Sequence, residues 1–171
     1  MDEVIAMNLD SIVMEMITFD KGDAKRIQHF MKVHAFAALI GREEKIPSDV
    51  QETLEIAAIL HDIGIHAAEE KYHSTAGVYQ EKEGPLPAKH LLKKIGYSSP
   101  VIERVCYLIG HHHTYQNVDG MDYQILLESD FLVNAFEDKV SQNGILAFRQ
   151  NVFRTKTGIH LLNQFYGLAS A

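Results

Sequence analysis

An all-α fold in a single domain is predicted by three features of this 171-residue sequence. Apolar residues recur at spacings of three and four rather than two, the breaks between runs carry Gly, Pro, Ser or Asp, and strand signals are almost absent. The length suits one sizeable core and is too short for two independent ones.

The elements follow in order. From Asn8 to about Phe19, Leu9, Ile12, Val13 and Met16 form one stripe, which ends near Lys21-Gly22-Asp23. A second helix is expected from about Asp23 to Gly41, with Ile27, Phe30, Val33, Ala37 and Ile40 as its buried face. Ser48 with Gln51 three residues on reads as a capping box opening a helix from Asp49 to Asp62, stopped by Gly64. His66 to Gly84 is polar and weakly periodic, and is expected to be loop-like apart from a short helix at Ser74–Lys82. Pro85 or Pro87 starts a helix running to Gly96. Ser99-Pro100 reads as an N-cap followed by proline at the first helical position of a helix continuing to His111-His112-His113. After a polar turn at Asp119-Gly120 comes a helix from about Met121 to Asp138, then shorter helices near Gly144–Val152 and Thr157–Tyr166. The apolar segment from Ile159 to Leu168 suits either core closure or a homodimer contact, and core closure is the expectation.

A hydrophobic fraction of 46% and a charged fraction of 23% describe an ordinary globular protein. No apolar run approaches the ~20 residues that span a bilayer, so no membrane association is expected. Met1-Asp2-Glu3 lacks the basic start of a secretory signal, which leads to the expectation of a cytoplasmic protein. The net charge of −7 argues against an extended nucleic-acid surface. A small phosphorylated ligand remains compatible with that charge, because bound metal cations supply positive charge locally. Cys106, the single cysteine, sits between Val105 and Tyr107-Leu108 and reads as a small hydrophobe rather than a nucleophile.

Leu60-His61-Asp62-Ile63-Gly64 is where chemistry enters. On a helical wheel His61 shares its face with Leu54, Ala57 and Ala58, so the pair points inward. A neutral histidine is buried at little cost given one hydrogen bond, whereas an ionised Asp62 costs several kcal/mol unless it is paired or bound to a metal. Other polar groups lie on apolar stripes too. His29 aligns with Val33, Phe36 and Ile40, Asp130 with Leu126, Leu127 and Val133, and His112 with Val101, Val105, Leu108 and Ile109. Two aspartates and three histidines turned inward from four helices are the kind of set that bundles use to hold metals. Nitrogen and oxygen ligands without thiolate suit Mn, Fe, Co, Ni, Mg or Zn.

His29, His61-Asp62 and Asp130 in that order, each in its own helical context, resemble the HD-domain superfamily of metal-dependent phosphohydrolases. The likeness is carried by His29-Phe30-Met31-Lys32-Val33, by Ala57-Ala58-Ile59-Leu60-His61-Asp62-Ile63-Gly64 and by Glu128-Ser129-Asp130-Phe131-Leu132, and it covers about residues 23–138. It implies that His29, His61, Asp62 and Asp130 hold one divalent metal, with Asp62 able to bridge to a second. Relatives with two metals carry a further histidine that aligns here with Glu83, and a histidine or histidine pair at the end of the next helix. His112 best matches that position, with His111 close behind and His113 third. Glu83 is therefore a candidate ligand and catalytic group. Many relatives also carry a lysine directly after Ile-Gly, where this chain has Ile65-His66. Phosphate contacts are then expected from His66, Lys71, His73, Lys89 or Lys93.

The implied activity is hydrolysis of a small phosphate ester or nucleotide by a metal-activated water, with Asp62 orienting or deprotonating that water. Two other readings use the same residues: a metal- or nucleotide-binding regulatory module with little turnover, and a di-iron oxygenase.

Overall fold

The computed structural model describes residues 9–170, which form ten α-helices and no strand. Asn8 and the Met1-Asp2-Glu3 start lie outside the described residues. The helices are α1 Leu9–Phe19, α2 Ala24–Glu43, α3 Ser48–Leu60, α4 Ile65–Tyr72, α5 Gly77–Glu83, α6 Pro85–Ile95, α7 Ser99–Ile109, α8 Met121–Glu137, α9 Gln142–Asn151 and α10 Lys156–Tyr166.

Helix α3 is the centre of the bundle, in contact with α1, α2, α7 and α8. Its sequence allows this, since Leu54, Ile56, Ala57, Ala58, Ile59 and Leu60 are all fully buried and leave it apolar around most of its circumference. Two alanines side by side let neighbouring backbones come close, which keeps whatever follows Leu60 near α2, α7 and α8. Helix α10 closes on α8 and α2 through Leu162, and the Tyr166 hydroxyl donates to Leu132 O at 3.2 Å, so the C-terminal segment completes the core as expected. Among the described residues no helix is long and apolar enough to cross a membrane.

Several sequence expectations need correction. Ser48 is not a capping residue: Pro47 precedes the helix with extended backbone, and no side chain caps α3. Gln51 is engaged instead in tying α3 to α2, its Nε2 donating to Ala38 O at 3.2 Å and to Glu55. Helix α3 ends at Leu60, so His61 and Asp62 occupy the turn after it. Gly64 has an ordinary φ of −82° and is required for another reason, since a Cβ there would lie 2.5 Å from Gly84 N. The close approach seats the start of α4 against the start of α6.

The 66–84 segment is not a loop. It forms α4 and α5, broken where His73 adopts a left-handed φ of 51°. Periodicity does not reveal them because both are short and only Ile65, Ala68 and Gln80 are buried, leaving two largely polar helices over the bundle. The cap of α7 is Ser98 rather than Ser99, and α7 stops at Ile109, leaving His111, His112 and His113 in turns. Cys106 is half-buried, donates to Pro85 O at 3.3 Å, and has its thiol pushed up by burial, in keeping with an inert role.

Candidate metal centre

Four segments meet at the C-terminal end of α3. Helix α2 contributes His29, the α3–α4 turn His61 and Asp62, the turn after α7 His112 and His113, and α8 Asp130. Two groups result. His29, His61 and Asp130 place one ligand atom each within 4.8 Å of one another, and so do Asp62, His112 and His113. The carboxylate of Asp62 lies between the groups. Its Oδ2 is 3.3 Å from His29 Nε2 and 3.5 Å from His61 Nε2, while Oδ1 is 3.4 Å from His112 Nε2.

What each imidazole offers is decided by its other nitrogen. His61 Nδ1 donates to Ala58 O at 2.8 Å, and His112 Nδ1 to Ile109 O at 2.7 Å. Both acceptors are carbonyls in the last turn of a helix, which lack an intrahelical partner. The same device thus serves twice: a helix end takes the Nδ1 proton and turns the Nε2 lone pair inward. His29 Nδ1 donates to Glu137 Oε1 at 2.6 Å with the same effect. His113 is turned the other way. Its Nε2 donates to Gln80 Oε1 at 3.2 Å, leaving Nδ1 free, and its backbone N–H donates to Glu81. Gly77 makes room for this ring, since a Cβ there would lie 2.6 Å from it. Tyr123 pins the turn, its hydroxyl lying within donating distance of His111 O and Thr114 O.

Lone pairs and negative oxygens therefore point at each other. His29 Nε2 and His61 Nε2 are 3.1 Å apart, and Asp130 Oδ1 is 3.2 Å from the first and 3.4 Å from the second. Asp130 Oδ1 and His112 Nε2 are buried without a hydrogen-bond partner. Such an arrangement calls for a cation. Protons meet the need in part: burial opposes charge on His61, yet Asp62 and Asp130 outweigh it and push this imidazole up to about 9. Burial likewise opposes charge on Asp62 and Asp130, and the histidines around them hold both well below the usual carboxylate range. Burial, and then His112, push His113 down to about 4, so it is a neutral donor at physiological pH. Imidazole and carboxylate donors, without thiolate and with orphaned atoms aimed at one space, fit a divalent metal in each group.

Of the residues singled out from sequence, His29, His61, Asp62, Asp130 and His112 come together. Glu83 does not. Its carboxylate accepts from Lys71 Nζ at 2.6 Å and Tyr72 Oη at 2.9 Å, outside both groups. His113, third in rank from sequence, joins Asp62 and His112 instead, because the end of α7 reaches the centre while α5 presents Gln80 and Glu81 to it. His111 turns away, its Nδ1 donating to Tyr107 O and its ring stacked on Tyr107. His66 is paired with Asp20, Lys71 with Glu83, and Lys89 is exposed on α6; none lines the cavity over the centre. Sequence reasoning overlooks Glu137. The signal for it is its spacing of seven from Asp130, two turns along one face of α8.

A cavity of about 340 Å³ opens onto His29, Asp62, Asp130 and His113. Helix α2 adds Lys25 and Arg26 to its wall, and the end of α8 adds Asn134, Glu137 and Asp138.

The sequence profile of the HD domain matches residues 26–137. A crystal structure of a predicted HD superfamily hydrolase from an uncultured Thermotogales bacterium superposes with a TM-score of 0.68 at 22% identity, over 93% of this chain and 85% of that one. At that identity the likeness is one of fold. No curated protein matches. The matched span begins one turn before His29, ends at Glu137 and encloses every residue of the two groups, and the chain belongs to the HD domain family, a family of metal-dependent hydrolases.

Proposed function

We propose that this protein is a metal-dependent phosphohydrolase that cleaves a small phosphate ester or nucleotide. One observation carries the reading: three Nε2 lone pairs and two aspartates converge, with Asp130 Oδ1 and His112 Nε2 left without partners, beneath an open polar cavity.

In this reading His29, His61 and Asp130 would hold one divalent metal and Asp62, His112 and His113 a second. A bound divalent ion lowers the pKa of its water from about 16 to about 7 and polarises a phosphoryl oxygen. The chain's own residues do the rest. Asp62, held below its usual range and thus ionised at neutral pH, accepts a hydrogen bond from the attacking water and orients it. Water oxygen bonds to phosphorus as the bond to the alcohol oxygen breaks, and the proton the water gives up ends on the departing alcohol. Glu137, through His29 Nδ1, and the carbonyls of Ala58 and Ile109, through His61 and His112, keep the ligand nitrogens aimed. His113 beside Asp62 and His112 gives the second group a third donor without Glu83, which favours a hydrolase over a non-catalytic module.

The test is metal content per protomer together with phosphate release from a panel of esters, for wild type and Asp62→Ala. Bound transition metal and phosphate release, both lost in the variant, are expected. A chain that stays metal-free after loading with manganese and iron would overturn the reading.

A further inference from the structure

We infer that the substrate is a phosphomonoester of a small hydroxylated alcohol, its phosphate met by the Lys25 ammonium and its hydroxyls by Asn134 and Asp138. This rests on the phosphohydrolase reading and narrows it.

The cavity needs a cation for the phosphate oxygens that face away from the metals, and Lys25 is the side chain placed to supply it. It lies in the first turn of α2, four residues before His29 and hence on the same helix face, and it lines the cavity. Among the described residues its ammonium makes no ion pair or hydrogen bond. Arg26 also lines the cavity but is committed, with Nη2 2.9 Å from Glu69 Oε1 and Nε 3.4 Å from Asp23 Oδ2. A lysine in the first turn of a helix opposes the helix dipole, and a bound anion would relieve that cost.

The α8 wall bears on the leaving group. Asn134 and Asp138 are one turn apart, and neither side chain has a partner among the described residues. An amide both donates and accepts while a carboxylate accepts, a combination that suits neighbouring hydroxyls. Asp138 would also repel a second phosphate, which disfavours polyphosphates. Nucleobases are typically held by stacking on aromatic side chains, yet among the described residues no Phe or Tyr lines this cavity. A volume of about 340 Å³ lies at the small end of the range for ligand sites.

The test uses metal-loaded wild type, Lys25→Ala and Asp138→Ala, with glycerol phosphate, a hexose phosphate and a nucleoside monophosphate as substrates, and calorimetric binding of inorganic phosphate. Wild-type kcat/KM is expected to be at least about tenfold higher for the polyol phosphates than for the nucleotide, the difference narrowing in Asp138→Ala. Lys25→Ala is expected to weaken phosphate binding and raise KM by about tenfold to a hundredfold with metal content unchanged. Equal or better turnover of the nucleotide overturns the inference. So does phosphate binding that is the same in wild type and Lys25→Ala, and in that case intact hydrolysis leaves the phosphohydrolase reading standing. If no ester is cleaved while Lys25→Ala still weakens phosphate binding, the hydrolase reading falls and the anion site at Lys25 stands.

Discussion

Glu128 and Asp130 are two buried carboxylates on one helix, two residues apart and facing opposite ways. Glu128 accepts from Gln124 Nε2, from the backbone N–H groups of Arg154 and Thr155, and from the Thr155 hydroxyl. Its acceptor capacity is filled by donors that cannot leave. It ties α8 to the start of α10, where Gly158 makes space for its carboxylate. Asp130 meets the lone-pair nitrogens of His29 and His61 and keeps one oxygen without a partner. The difference shows that burial of an acid does not mark a functional site. An acid surrounded by fixed donors holds the fold together, whereas one surrounded by other acceptors is waiting for a cation.

The sharpest way to break this comparison is to remove each acid. Asp130→Ala is expected to lose bound metal and more than about a hundredfold in hydrolysis, while costing the metal-free fold less than the companion change does. Glu128→Ala should retain metal but destabilise by about 3 kcal/mol or more, because four donors lose their acceptor in a dry site. Metal analysis and chemical denaturation of both variants decide the matter, and a reversed pattern would sink the distinction.

Glu137→Gln tests whether the acceptor behind His29 matters as the ligands do. A weaker acceptor on Nδ1 loosens the aim of Nε2, and metal affinity should fall by about tenfold to a hundredfold in a competition titration with a chelator. The fold, and the Glu128 side of α8, should be unaffected.

The proton dependence of the Asp130 side gives a further test. Opposed by burial but driven by Asp62 and Asp130, His61 is raised from 6.5 to about 9 in the metal-free fold. A folded value above the unfolded one means the proton stabilises the protein fully below about pH 6.5, and that contribution is lost as pH rises through 9. The melting temperature of metal-stripped protein should therefore fall across this window, by the equivalent of up to about 3 kcal/mol. Metal-loaded protein should hold its melting temperature there, and metal affinity should rise with pH because the metal displaces the proton.

The smallest effect belongs to Glu83→Ala. Its partners are Lys71 and Tyr72, outside both ligand groups, so metal stoichiometry should match wild type. A loss of metal would restore Glu83 to the centre and displace His113 from it.

Much of this is legible in the sequence. Apolar stripes at helical spacing foretell the long helices, and a histidine or aspartate on such a stripe is conspicuous, which is why His29, His61, Asp130 and His112 stand out from the amino-acid order alone. Asp62 comes with His61. The short helices α4 and α5 are not legible, since surface helices with only a few buried positions leave no stripe to read. The roles of Glu83 and the three consecutive histidines are not legible either. Adjacent residues in a turn point in different directions, and which one faces the centre depends on where α5 and Tyr123 hold that turn.

Periodicity alone encodes the all-α bundle and the inward turn of the first group of donors, since His29 and Asp130 lie on the buried faces of α2 and α8 and His61 directly follows the buried end of α3. Only the tertiary structure decided what those donors face. His61 and His112 are aimed by carbonyls three residues before them, but the aim of His29 and His113 is set by Glu137 and Gln80 on other helices, and the cavity wall of Lys25, Asn134 and Asp138 exists only where α2 and α8 lie side by side. Hydrogen bonds and cavities join residues far apart in the chain, and no local pattern encodes such a pairing.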